Sequence, residues 1–234
     1  MSVVIPPQIH PPDHLCWTIG HLEIHARHHQ GAWYVSRPWS EQPLLLADRP
    51  SVAVRLGLDE AVAHLEHAVV LAPRAMLSLW VAWPLEVVIR GARQEIIDVH
   101  RRGMRRTLLG AVDTGRVMKG AWCATVPSAY DAPAWTHAAL RVELHNPSQR
   151  PATIRRLPIA ERGLSLARQG DHLAAGTLQV TVQDARVAEA RIAAWQCPHA
   201  FAVASRDRAE ERRELGWSLA WLLDATRRST GFQL

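Results

Sequence analysis

The sequence predicts an all-β protein: an antiparallel β-sandwich with an N-terminal hairpin extension and one C-terminal α-helix. Three observations lead there. Apolar or alternating runs of strand length recur every 8–14 residues through the middle of the 234-residue chain, the rhythm of short sandwich strands. The breaks between them hold turn-formers such as Asn146-Pro147, Asp131-Ala132-Pro133 and Gln169-Gly170, which bend the chain through fixed or left-handed dihedrals. No amphipathic segment of helical length alternates with the runs, so parallel crossovers have no helix to pass through. The expected organisation is an N-terminal β-hairpin segment over 1–71 packed on the main domain, a sandwich core over 72–204 and a helix over 205–234.

Residues 15–36 read as a hairpin. Leu22, Ile24 and Ala26 alternate with His21, Glu23 and His25, the period of a half-buried strand. The turn falls at 28–31 and the return strand starts at Ala32. A short apolar run at 44–46 suits an edge strand, and 51–56 alternates again. Residues 59–71 fit both helical and strand periods, with strand favoured in the second half because Pro73 closes it. After another apolar segment at 75–81 come LEVVIRG and EIIDV, two β-branched runs split at Gly91. Further strands follow over 107–109, 117–126, 138–145, 152–159, 164–168, 176–182 and 186–195.

A helix is predicted last. Ser205 is placed to cap it, Asp207, Glu210 and Glu211 lie in its first turns, and Arg227 and Arg228 in its last, matching the macrodipole. Leu215, Leu219, Leu222 and Leu223 form one stripe, flanked by Trp217 and Trp221. Such a stripe has to be buried on the sandwich, on a partner or at a membrane surface.

Composition sets limits. With 48% apolar residues the chain is not of the disordered class. It has no run of about 20 apolar residues to span a bilayer. Its first residues have neither the basic start nor the apolar stretch of a signal peptide, so a cytoplasmic location is expected. Cys16, Cys123 and Cys197 are odd in number and far apart, as suits buried thiols in a reducing compartment. Of 27 basic residues, 26 are Arg, and Trp supplies 10 of the 14 aromatics. Trp80, Trp83, Trp122 and Trp195 fall in or beside strands and read as core. The net charge of +5 is concentrated: residues 86–119 carry eight cations and four anions, and 141–170 carry six and two.

Two constellations invite chemistry. His21, Glu23 and His25 project from one strand face and are of the types that ligate zinc, copper or iron, with His64, Glu66 and His67 a weaker copy. Arg101, Arg102, Arg105 and Arg106, in HRRGMRR, offer guanidinium forks suited to phosphate or carboxylate. Aromatic side chains that stack bases are not interleaved with these arginines, which counts against nucleic acid without closing that option. No nucleophile elbow, P-loop, dinucleotide fingerprint or HExxH is present. Asp98 and His100 share a strand face and make an acid–base pair only if a pocket adjoins them. Glu86, four residues from Arg90 on the same face, reads as half of a surface ion pair.

Residues 72–195 resemble the uncharacterised family known as domain of unknown function 432. The carrying motifs are APRAMLSLWVAWPLEVVI at 72–89, IIDVH at 96–100, LLG at 108–110, TGRV at 114–117 and RVELHNPSQRP at 141–151. Five motifs stand in the family's order. Leu109 occupies the place where the family usually has tyrosine, so a polar role for that ring does not carry over. The resemblance supports the fold and leaves activity, cofactor and oligomeric state open.

The function expected is that of a non-enzymatic binding module, engaging an anionic or protein partner through the Arg-rich segment. The alternatives are a metal-binding protein or metal-dependent enzyme using His21, Glu23 and His25, and an accessory subunit of a membrane protein docking through the Trp217 and Trp221 helix.

Overall fold

A computed structural model describes residues 2–10, 13–57, 60–101, 103–109, 116–183, 188–193, 202–203 and 217–218. Among them the chain is nearly all strand, arranged in four sheets, with two single 3-10 turns at Ala129–Asp131 and Glu161–Gly163.

Sheet I joins β1 (Ser2–Ile5), β7 (Ser51–Arg55), β10 (Glu86–Arg90) and β11 (Ile96–Arg101) in that order, all antiparallel. Sheet II is a meander of β2 (Gln8–His10), β3 (His14–Ile19), β4 (Leu22–His29), β5 (Ala32–Arg37) and β6 (Ser40–Leu46). Its β4–β5 turn is Gln30-Gly31, with φ of 50° and 79°, the two left-handed residues that a tight hairpin of matching twist requires. The alternation read from the sequence holds: Leu22, Ile24 and Ala26 are buried, with Glu23 exposed between them.

Sheet III runs β12 (Arg105–Leu109), β13 (Arg116–Cys123), β8 (Glu60–Leu71), β16 (Ala152–Ala160). Residues 60–71, ambiguous in period, are strand throughout. Sheet IV runs β14 (Thr125–Val126), β9 (Met76–Pro84), β15 (His137–His145), β18 (His172–Val182), β17 (Ala167–Gln169), β20 (Ala202–Val203), with β19 (Ala188–Ala193) also paired to β18. The strands of 2–71 share sheets with later ones, since β7 pairs β10 and β8 lies between β13 and β16.

Two expectations need correction. Sheets III and IV are mixed, because β8 pairs β13 in parallel and β15 pairs β18 in parallel. A parallel pair needs a long return path. Here strands supply it in place of helices: β9 to β12 intervene in the first case, β16 and β17 in the second. The second correction falls at the C-terminus. Trp217–Ser218 is a short strand, β21, paired antiparallel to β19 through Ala190↔Trp217 and Glu189↔Ser218. The open edge of β19 offers backbone N–H and C=O groups that a second strand satisfies, and at these two residues that pairing replaces the helix. Trp221 and the rest of 205–234 lie outside the described residues.

One large apolar cluster draws on all four sheets, from Val3 and Ile5 through Trp17, Ile24, Val54, Leu65 and Trp83 to Leu140, Leu157 and Val180. Buried polar groups fasten its edges. Trp17 donates its indole N–H to the Ile5 carbonyl (3.1 Å), tying sheet II to β1. Asn146, fully buried, reaches the carbonyls of Leu71, Ala72 and Arg150 at 3.2, 3.0 and 2.8 Å, so the Asn-Pro turn also clamps the end of β8. Glu86 is 3% exposed and bridges two strands. Arg55 donates to its Oε2 at 2.9 Å and Arg101 to its Oε1 at 2.8 Å. That replaces the expected surface pair with Arg90. In an antiparallel sheet the directly opposite residue is closer than one four positions along the strand, and both Arg55 and Arg101 stand opposite Glu86.

Candidate anion-binding face

The Arg-rich segment is divided by the fold. Arg101 ends β11 and is committed to Glu86. Arg102 lies outside the described residues. Arg105 and Arg106 open β12, the edge strand of sheet III, and adjacent strand residues point to opposite faces. Arg105 stands opposite Gly120 and Arg106 opposite Lys119. Both arginines are exposed, and among the described residues neither makes an ion pair.

The pairings of sheet III set Arg105 beside residues distant in sequence. Trp122 follows Gly120 by two positions on β13 and so shares its face. Across the parallel β13–β8 pair Trp122 stands opposite His64, and His64 stands opposite Arg156 on β16. Trp122 is 66% exposed, and its ring centroid lies 5.3 Å from that of His64 at 34°. The other face of the same strands carries Ala121, Ala63 and Leu157, all buried in the core. The expectation that Trp122 is core is therefore reversed: Ala121 and Cys123 are its core-facing neighbours, and period two turns Trp122 outward. Trp83 is fully buried as expected, Trp80 is half-buried, and Trp195 lies outside the described residues.

Gly120, opposite Arg105, and Val62 beside it on β8 are both buried, so the exposed part of this face begins at Trp122. In β16, Pro158 pairs Val62 on the edge of the sheet, where its missing N–H is tolerated. Burial, followed by the charge of Arg156, pushes the His64 imidazole below its ordinary 6.5. Near neutral pH it is an uncharged ring beside Trp122. The acids here are Glu60, on the same face, and exposed Glu66; Arg155, exposed, adds a further cation.

His21, Glu23 and His25 do line one open depression, of about 410 Å³, together with Ser36, Arg37 and Pro38. His25 lies 3.5 Å from Glu23 and 3.3 Å from His14, and His14 also neighbours His10. Burial, then the charges of His25, Arg27 and His10, lowers the pKa of His14. Among the described residues no group of three His, Cys, Asp or Glu side chains is arranged to hold a metal ion. His64 is turned toward Trp122.

Asp98 and His100 share a face, and Trp39 sits on both. Its indole donates to Asp98 Oδ2 at 3.0 Å and stacks on His100 at 4.5 Å and 11°. Arg37 also donates to Asp98, as does the Val99 N–H. Burial raises the Asp98 pKa, but these three hydrogen bonds and the Arg37 charge outweigh it and hold the group below its ordinary value. The result is an ionised clamp between sheets I and II.

Glu161 is the buried carboxyl that sequence reasoning missed. At 2% exposure it accepts from the Trp83 indole (2.9 Å) and the Gly57 N–H (3.1 Å). Burial raises its pKa, against the pull of those two donors. A Cβ on residue 57 collides with this carboxylate, so glycine there permits the approach. The Cys123 thiol, 1% exposed, is pushed up to about 12 by burial and then by Glu66, as suits inert packing.

These observations define an all-β protein of four mixed and antiparallel sheets, with an open basic and aromatic face on the third. A family described as Protein of unknown function (DUF432) matches residues 7–216, and the chain belongs to it. The match extends well beyond the 72–195 segment of the resemblance and takes in sheet II. Neither the curated proteins nor the solved structures contain a match. Three of the motif residues, Glu86, Asp98 and Asn146, are the polar clamps described above. No helix among the described residues is long and apolar enough to cross a membrane.

Proposed function

We propose that this protein is a non-enzymatic binding module that holds an anionic partner at the edge of sheet III, with Arg105 and Arg106 as its principal cations. One contrast carries the reading. Arg37, Arg55, Arg101, Arg141 and Arg191 each pair with a carboxylate, whereas Arg105 and Arg106 are exposed with no such partner among the described residues; Arg27, Arg49, Arg93 and Arg155 are exposed in the same way, and Arg105 and Arg106 are set apart by standing next to each other on an edge strand. Guanidinium forks suit phosphate and carboxylate, and because the two project from opposite faces of an edge strand, an anionic partner lying along that edge meets both and gains from counterion release.

The test is calorimetric titration with inorganic polyphosphate at two salt concentrations. The expected result is binding that weakens with salt, and an Arg105→Glu/Arg106→Glu protein that binds at least about tenfold more weakly with a salt slope smaller by about two. Wild-type protein that ignores polyphosphate, or a double variant that binds equally well, removes the basis for the reading. The metal alternative at His21, Glu23 and His25 has less support, since among the described residues no group of three His, Cys, Asp or Glu side chains is arranged to hold a metal ion.

A further inference from the structure

We infer that the anionic partner is single-stranded nucleic acid, with a base stacked on Trp122 and phosphates on Arg105 and Arg156; this rests on the reading just given and names its ligand. The sequence counts against nucleic acid because no aromatic residue is interleaved with the arginines. The fold supplies what the sequence withholds. Strand β13 brings Trp122 next to β12, and the register puts Arg105 and Trp122 on one face as diagonal neighbours, a Cα separation of roughly 7–8 Å.

The residue types and their order suit a single strand. Arg105, Trp122, His64 and Arg156 cross the sheet from one edge strand to the other, so a cation stands at each side of an aromatic pair. A strand laid across such a row meets charge, ring, charge, which is how sequence-tolerant single-strand sites combine a basic track with stacking platforms. Trp122 is 66% exposed, with His64 tilted against one part of it, so most of the indole is open to a base. A large apolar ring costs free energy when left in water, and its neighbours here are arginines, which disfavour an apolar protein partner. Polyphosphate or an acidic protein tail satisfies the arginines and leaves the indole bare. A duplex hides the base faces that Trp122 would stack on. Glu60 and Glu66 bound the track on β8 and repel phosphate, which confines the path to the row.

The experiment is fluorescence anisotropy with end-labelled 15-nucleotide oligothymidine and oligouridine, competed by inorganic polyphosphate and by a 15-base-pair duplex, on the full chain. Trp122→Ala is expected to weaken oligonucleotide binding roughly 5- to 150-fold, the range for loss of one stacked base, while leaving polyphosphate binding unchanged. Trp122→Phe is expected to restore most of it. Arg105→Glu is expected to weaken both ligands. Because Trp122 is mostly exposed, Trp122→Ala should keep its melting temperature, checked by circular dichroism. If the oligonucleotide binds no better than polyphosphate, or Trp122→Ala binds it as well as wild type, the nucleic-acid inference fails while the anion reading stands. If neither ligand binds, both fail.

Discussion

Glu86 is where a single substitution should cost the fold most for its size. Its carboxylate is 3% exposed, with Arg55 at 9% on one side and Arg101 on the other. Glu86→Ala strands the Arg55 guanidinium in the interior without a counter-charge, a change that costs about 3–5 kcal/mol in buried pairs. Arg101→Ala is different. The Arg101 side chain is 49% exposed, and its removal leaves Glu86 paired to Arg55, so the loss should be about 1 kcal/mol or less. Against a total stability of about 5–15 kcal/mol for a typical protein, the first loss is large and the second minor. Urea unfolding at pH 7 reads both as shifts in midpoint at a common slope. If Glu86→Ala fails to fold, Glu86→Leu combined with Arg55→Met and Arg101→Met should fold, because an apolar replacement of the whole group leaves no stranded charge. Equal losses for Glu86→Ala and Arg101→Ala, or a loss under about 1 kcal/mol for Glu86→Ala, would refute the reasoning.

Other outcomes follow from the same buried groups. The Glu161 pKa is raised above its ordinary 4.5, so its contribution is fully present below 4.5 and declines as pH rises through the shifted value. Glu161→Gln, which keeps the acceptor oxygen without the charge, should gain on wild type in unfolding experiments as pH rises. Glu161→Ala should lose about 1–3 kcal/mol at any pH, because the Trp83 indole and Gly57 N–H lose their acceptor. The Asp98 pKa is lowered from 3.8, the opposite sign: its contribution is present above 3.8 and lost as pH falls through the depressed value. Asp98→Asn should therefore flatten the acid limb of the stability curve. Cys123, with its thiol near 12, should resist iodoacetamide at pH 8 in folded protein and react only at the rate of unfolding, followed by mass spectrometry.

The β class was legible because period two was clean: Leu22, Ile24 and Ala26 announce a buried face, and that face is buried. Partners were not legible. Glu86 finds its cations opposite it on β7 and β11, and nothing in PLEV points to Arg55, 31 residues earlier. In the run AWCATV the only polar residue, Thr125, falls on the face opposite Trp122, so the sequence gives no signal that the Trp122 face meets water. The exposed face became visible only through the parallel β8–β13 pairing, which joins His64 to Trp122. At the C-terminus the leucine stripe favours a helix locally. At Trp217 and Ser218 the open edge of β19, a tertiary feature, prevails.

The central claim, that an anion is held on the face bearing Arg105 and Trp122, is tested most directly by following the tryptophan indole N–H resonances in a 15N–1H spectrum during titration with inorganic polyphosphate and then with oligothymidine. The Trp122 signal, assigned by its loss in Trp122→Phe, should move with both ligands and further with the oligonucleotide. The signals of Trp17 and Trp83, buried and bonded to Ile5 and Glu161, should stay in place. A Trp122 signal that does not move with either ligand, or shifts confined to other tryptophans, would contradict it.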